Sequence, residues 1–238
     1  MMKTLTCIAI VLISCVVPAG AAYYTSGHAD IGLGEGNEVK LHLHAHSGAI
    51  FDGSPLQDDT EFEPDEVIIV VPNTTQFSRP SGAAWDFLGN AAGAATWRLP
   101  ASAAAATAEN APFLGIGAED VDLGVFVDNT LTLTLVAVNG PGHFSLYKVS
   151  LGTPTAYMAS SDGITAADAI TAAAGSHLHF NFGFSEAGLY EITFLAKAID
   201  AATQEELTSE ATYNFLVVPE PATIVLLMTG AAGLVRRK

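Results

Sequence analysis

Polar and apolar residues alternate strictly along Glu38-Val39-Lys40-Leu41-His42-Leu43-His44-Ala45-His46. That is the period of a β-strand, with Val39, Leu41, Leu43 and Ala45 on one face and three histidines on the other. Upstream, Ala29, Ile31 and Leu33 alternate with His28, Asp30 and Gly32, and Gly34-Glu35-Gly36-Asn37 supplies turn residues, so residues 28–46 read as a hairpin. Only registers of one parity put both apolar sets on the same face. The simplest pairs Leu33 with Val39, Ile31 with Leu41 and Ala29 with Leu43, setting His28 opposite His44 and Asp30 opposite His42; a slip of two residues keeps the same faces.

Further strands follow the same reasoning. Residues 66–71 are continuously apolar apart from Glu66, and residues 130–138 alternate threonine with leucine before Asn139-Gly140-Pro141-Gly142 turns the chain into His143-Phe144-Ser145-Leu146-Tyr147-Lys148, a second predicted hairpin. Residues 176–184 form one alternating strand with His177, His179 and Asn181 on one face and Leu178, Phe180 and Phe182 on the other. Residues 190–198 and 208–217 complete the set. The pieces Trp85-Asp86-Phe87-Leu88-Gly89, Trp97-Arg98-Leu99-Pro100 and Pro112-Phe113-Leu114-Gly115-Ile116-Gly117 read as irregular connections joined by alanine-rich sequence with one helical turn. Residues 166–174 have helix propensity and end at Gly175 as a helix would. Regularly spaced strands with little helix predict an all-β fold, an antiparallel immunoglobulin-like β-sandwich with long loops and a short helix.

Both ends of the 238-residue chain carry targeting patterns. Lys3, an apolar run over 5–17, Pro18 and Ala19-Gly20-Ala21 predict a signal peptide over residues 1–21, cut by signal peptidase near Ala22. Leu12-Ile13-Ser14-Cys15 offers the alternative of a lipoprotein box acylated at Cys15. Cys7 and Cys15 are the only cysteines, so residues 22–217 hold no disulfide, thiolate ligand or thiol nucleophile. At the other end, Val218-Pro219-Glu220-Pro221, an apolar run over 222–235 and Arg236-Arg237-Lys238 resemble the PEP-CTERM sorting signal. The resemblance implies export, transient inner-membrane anchoring over 218–238, removal of the tail by an exosortase-type enzyme, and delivery to the cell surface or extracellular matrix. A plain C-terminal anchor is the alternative.

Charge narrows the partners. Of nine basic and 25 acidic residues, Lys3, Arg236, Arg237, Lys238 and Glu220 lie in the two ends, leaving five basic and 24 acidic between them. This charge disfavours nucleic acid and anionic membrane as partners and favours divalent cations. No His-Glu-x-x-His, Gly-x-Ser-x-Gly or P-loop is present, so no enzyme is predicted. Gly115-x-Gly117 lacks the third glycine of a dinucleotide fingerprint, and Asp120-Val121-Asp122 lacks the spacing of a calcium loop. The acidic run Gln57-Asp58-Asp59-Thr60-Glu61-Phe62-Glu63 reads as a solvated connection, with a weak calcium site as the alternative.

The histidines carry the chemical signal. Two rings in a His-x-His strand sit ~7 Å apart at the backbone, close enough to converge on one ion, whereas His42 and His46, ~13 Å apart, are too distant to share one. One site can combine two histidines of the first strand with His177 and His179 if the fold brings the strands together. His28 and His143 are further candidate ligands, with Asp30 and Asn181 behind them. Without cysteine, nitrogen and carboxylate donors suit Zn²⁺. The competing reading is an ordinary polar strand face.

Gly27-His28-Ala29-Asp30, Leu41-His42-Leu43-His44, Trp97-Arg98-Leu99-Pro100, Pro112-Phe113-Leu114-Gly115, Gly140-Pro141-Gly142-His143-Phe144 and residues 177–184, taken in order, resemble the choice-of-anchor M domain and the related actinobacterial surface-anchored domain. What this implies is a bacterial surface domain. The association of such domains with zinc- and manganese-type transporter loci implies metal handling, with a metal-uptake system as partner. Three function classes stand: a non-catalytic metal-binding surface protein, a structural or adhesive module for extracellular polysaccharide or partner proteins in which Trp97 would contact glycan, and a zinc hydrolase.

Overall fold

The computed structural model describes residues 20–219; almost all of the signal-peptide segment, and the tail with Glu220, Pro221, Arg236 and Arg237, lie outside the described residues. The first part of the chain forms β1 (Ala22–Glu35), β2 (Glu38–Ala45), β3 (Ile50–Phe51), β4 (Ser54–Pro55) and β5 (Thr60–Phe62). It continues through β6 (Val67–Val71), β7 (Gln76–Ser78), β8 (Ala95–Leu99), the helix α1 (Ala103–Glu109) and β9 (Pro112–Gly117). Then come β10 (Thr130–Asn139), β11 (Phe144–Ser150), β12 (Thr153–Ala159) and β13 (Ala169–Ala173), followed by β14 (His177–His179), β15 (Asn181–Phe184), β16 (Gly188–Ile199) and β17 (Glu206–Val217).

These strands make a β-sandwich. One sheet runs β12-β11-β15-β8-β7. The other runs β13-β10-β16-β17-β6-β1-β2-β5, with β9 and β14 branching from it beside β1. Strand β1 serves two regions. Ala22–Tyr24 pairs in parallel with β6, while Gly27–Gly32 pairs in parallel with β9 and the end of the strand runs antiparallel to β2. The switch falls at Gly27, whose φ of +91° and whose Cβ position, 2.6 Å from the Ala49 Cα, both demand glycine.

Rings from both sheets fill the interior. Phe184 meets Phe144, Tyr190 and Phe215, and Phe144 meets Phe194. Tyr213 on β17 donates its hydroxyl to the His42 carbonyl at 2.8 Å, and the Leu41 N–H donates to Ser209 Oγ at 3.0 Å, fastening the histidine strand to the far half of its own sheet.

Four sequence expectations change. Residues 166–174 are not helical: Ala169–Ala173 alternates buried and open positions as β13 and closes the edge of β10, where ladder bonds outweigh alanine's helix preference. Asn139-Gly140-Pro141-Gly142 does not close a hairpin, because β10 has β13 and β16 on its two edges and β11 crosses to the other sheet to pair with β12 and β15. Residues 176–184 break in two at the buried Phe180, sending β14 to β9 and β15 to β8 and β11. Trp97-Arg98-Leu99 and Pro112–Gly117, read as connections, are the strands β8 and β9.

Because Phe184 is fully buried at the meeting point of both sheets, Phe184→Ala should lower unfolding stability by about 3–5 kcal/mol. Urea denaturation measures this, and a loss under ~1 kcal/mol would show that the site collapses around the void.

Candidate metal centre

The histidines lie on a five-strand patch ordered β5-β2-β1-β9-β14. Paired residues share a face, so one rung reads Glu61, His44, Asp30, Gly115, His179 and the next reads His42, Gly32, Gly117, His177. On the other side of Asp30, His28 is level with Phe113, and the His46 N–H donates to the His28 carbonyl. The opposite face carries Ala29, Ile31, Leu43, Leu114 and Ile116, all fully buried. The expected parity holds, but the hairpin register is shifted by two from the simplest pairing. A bulge between Gly32 and Gly34 and the tight Gly36-Asn37 turn place Asp30 opposite His44 and leave His28 level with His46.

Glycine clears the middle of this face. A Cβ at Gly32 would collide with the His42 ring, and one at Gly115 would collide with Asp30 Oδ1 and His179. Side chains from neighbouring strands therefore lie over the central backbone. His28 and His46 stack with ring centres 4.3 Å apart, and His179 stacks on Phe113 at 4.0 Å.

Two further segments bring acid to the face. The loop after β9 is clamped to the β1–β2 turn by Gly36 N–H donating to the Asp120 carbonyl and Asp122 N–H donating to the Gly36 carbonyl. This sets Asp120 Oδ2 3.3 Å from His44 Nδ1 and pairs Glu119 with His177. Strand β5 sets Glu61 Oε2 3.0 Å from His42 Nε2 and Oε1 2.5 Å from His44 Nδ1. His42 Nδ1 donates to the Lys40 carbonyl at 3.1 Å. A carbonyl only accepts, so Nε2 is left with its lone pair toward Glu61, a contact that needs a proton or a cation between the two atoms.

Four candidate donor sets result, each with its ligand atoms within 4.8 Å of one another: His42, His44, Glu61 and Asp120; His28, Asp30 and His179; His44, His46 and Asp59; and Asp30, His46 and Glu119. The first two have no residue in common, and the last two overlap them through His44 and Asp30. Asp30 is 1% exposed. Its Oδ2 faces His28 Nε2 at 3.3 Å and His46 Nε2 at 3.1 Å, while Oδ1 has no hydrogen-bond partner. Asp30 Oδ1 and His179 Nδ1 are buried without a hydrogen bond, a state that costs about 1–3 kcal/mol per group when nothing fills it, while His28 Nε2 and His44 Nδ1 meet only carboxylate oxygens, at ion-pair distance. Edges of about 3.3 Å are also what donors ~2.0–2.1 Å from a tetrahedral zinc would show.

Electrostatics divides the rings. Burial, then the neighbouring His46, His179 and His177, pushes His28 down from 6.5 to about 4, and burial with His177 lowers His179. A hydrogen bond with Glu119 raises His177; burial opposes charge on His44, but Glu61, Asp120 and Asp59 outweigh it and raise its pKa. Burial raises Asp30 against its hydrogen bond with His46.

His28, His42, His44, His177, His179 and Asp30 are thus brought to one face. His143 is not: it sits beside Gly89 and Ser160 at the start of β11, in the other sheet. Asn181 is not either, because the break at Phe180 turns it to accept from the Ala101 N–H and donate to the Tyr147 carbonyl. Glu61 and Asp59, read from the sequence only as part of a weak calcium alternative, Asp120, set aside with the calcium loop, and Glu119, not singled out at all, were missed as neighbours of the histidines. The alternation Asp59-Thr60-Glu61-Phe62 was the available signal for the first two.

Comparison with known proteins speaks to the tail. Residues 217–238 match the PEP-CTERM protein-sorting motif. The chain is thereby marked as an exported protein sorted to the cell surface by an exosortase-type enzyme. No curated protein and no solved structure matches it. Among the described residues no helix is long and apolar enough to cross a membrane.

In metal-free protein, histidine proton NMR should show His28 titrating near pH 4 and His44 and His177 above 6.5. His28 then makes the fold lose stability as pH falls from 6.5 to about 4, since only the unfolded chain takes up the proton there. His44 and His177 stabilise below 6.5 and lose that contribution as pH rises through their folded values. Uniform titration of all three near 6.5 would contradict the packing described.

Proposed function

We propose that this exported surface protein, of the choice-of-anchor M type, binds a divalent transition metal, zinc foremost, on its histidine face and does not catalyse a reaction. One observation carries the reading: Asp30 Oδ1 and His179 Nδ1 are buried without a hydrogen bond, Asp30 and His179 lie over the space that Gly115 leaves, and ligand atoms of Asp30, His28 and His179 lie within 4.8 Å of one another. A solvated polar face would satisfy those atoms with water or protein partners. The His42 tautomer, fixed by the Lys40 carbonyl, is the arrangement metal-bound imidazoles commonly use. Imidazole and carboxylate donors without thiolate suit zinc. The protein would serve a metal-uptake system or hold the ion for its own fold.

A second reading has its own observation. A cleft of about 680 Å³ is lined by Phe77, Trp85, Arg98, Tyr147 and Lys148. Lys40, Arg79, Arg98 and Lys197 each pair with a carboxylate, whereas among the described residues Lys148 has none and lies 4.4 Å from the Phe180 ring. Aromatic walls and a free cation suit an acidic polysaccharide. Trp97 does not take part, being buried in the core, so Trp85 is the aromatic to test.

Calorimetric titration of untagged full-length protein should show stoichiometric, sub-micromolar Zn²⁺ binding, lost when His28, His42, His44 and His179 are all changed to alanine with the β-sheet circular dichroism retained. Absence of binding by the unaltered protein would refute the metal reading. Retention on an acidic polysaccharide that Trp85→Ala abolishes would support the second.

A further inference from the structure

We infer that the histidine face holds two divalent transition-metal ions at neighbouring centres of different kind, an outer four-donor centre and an inner three-donor centre that takes an exogenous anion as its remaining ligand. The inference rests on the metal reading above and extends it to number, coordination and ligand class.

The number follows from the donors. The set His42, His44, Glu61 and Asp120 and the set His28, Asp30 and His179 have no residue in common. A tetrahedral ion takes four ligands, so one ion cannot use all seven. The sets also occupy different parts of the patch. Three outer donors come from β2 and β5, and the inner donors come from β1 and β14 on either side of β9. Strand spacing is ~4.8 Å, so the centres are about one to two strands apart.

The kind follows from charge and exposure. Two carboxylates and two neutral imidazoles balance a divalent ion and complete its tetrahedron. Glu61 and Asp120 are 45% exposed, so this outer centre exchanges with solvent through side chains able to swing. The inner set has one carboxylate, almost fully buried, and two imidazoles held by ring packing, His179 stacked on Phe113 and His28 stacked on His46. With a divalent ion it carries one net positive charge, and its three residues leave a fourth position open, the neighbouring His46 Nε2 being engaged by Asp30 Oδ2 at 3.1 Å. His179 also lines the wide cleft that holds Lys148, and His28 lines a second cavity of about 350 Å³. A small anion therefore has a route to the inner ion and a second cation along it. Hydroxide or a carboxylate meets that description.

The test loads untagged full-length protein with Co²⁺ and counts metal per chain by elemental mass spectrometry. The unaltered protein should hold two ions. His42→Ala/His44→Ala should hold one, and so should Asp30→Asn/His179→Ala, with Glu61→Gln as an exposed variant that weakens only the outer centre. Acetate or azide should shift the Co²⁺ visible spectrum of His42→Ala/His44→Ala and leave that of Asp30→Asn/His179→Ala unchanged. Unfolding curves for each variant confirm the fold. One ion in the unaltered protein, lost in both double variants, would overturn the two-centre inference while sparing metal binding. Equal anion response in the two variants would overturn the assignment of the open position. No metal at all would remove the underlying reading.

Discussion

The arrangement depends on the double duty of β1. A strand of 14 residues gives its first part to β6 and its second to β2 and β9, and the change of partners requires a residue without a side chain where the chain presses on Ala49. Everything at the histidine face is placed relative to the second half of that strand. Strand β2 is its antiparallel neighbour on one side and β9 its parallel neighbour on the other, so the hairpin histidines and the distant His177-Leu178-His179 segment meet across it. Without the parallel β1–β9 pair, the two His-x-His arrays would have no common surface.

Parity along β1 and β2 was legible because a two-residue period survives any register that buries the apolar side. Hence His28, Asp30, His42 and His44 could be assigned to one face from the sequence, while the pairing itself slipped by two, one residue from the turn and one from the Gly32–Gly34 bulge. The strand β9 was hidden for the opposite reason. Its face toward the site carries Phe113, Gly115 and Gly117, and glycine at alternate positions looks like a loop when only side-chain hydrophobicity is counted. Two glycines two apart are also what a strand needs when neighbours must fold their side chains across it.

The break after His179 shows a limit of another sort. Alternation continues without interruption from His177 to Phe184, yet the chain leaves one sheet for the other at Phe180. Local periodicity cannot register such a change, because both halves obey it and only their partners differ. The same blindness made residues 169–173 look helical, since the vacancy beside β10 is a property of the assembled sheet. Asp120 and Glu119 reach the histidine face for a tertiary reason as well: they come from a loop whose position is set by backbone bonds between Gly36 and Asp120, 84 residues apart in the chain.

An acidic surface and a histidine face could be independent consequences of solubility and strand polarity. Burial argues against independence. Ordinary polar faces keep their imidazoles in water, whereas His42 is 3% exposed and Asp30 1% exposed, and the residues that would have widened the space beneath them into packed side chains are glycines. A buried carboxylate beside two imidazoles, His28 and His179, that resist protonation is unfavourable on its own account. Protonating a ring would neutralise the carboxylate, but burial and the adjacent rings oppose it at His28. A divalent cation, as proposed above, would supply the missing charge and satisfy Asp30 Oδ1 and the neighbouring ring nitrogens together, which a proton, serving one atom at a time, cannot do.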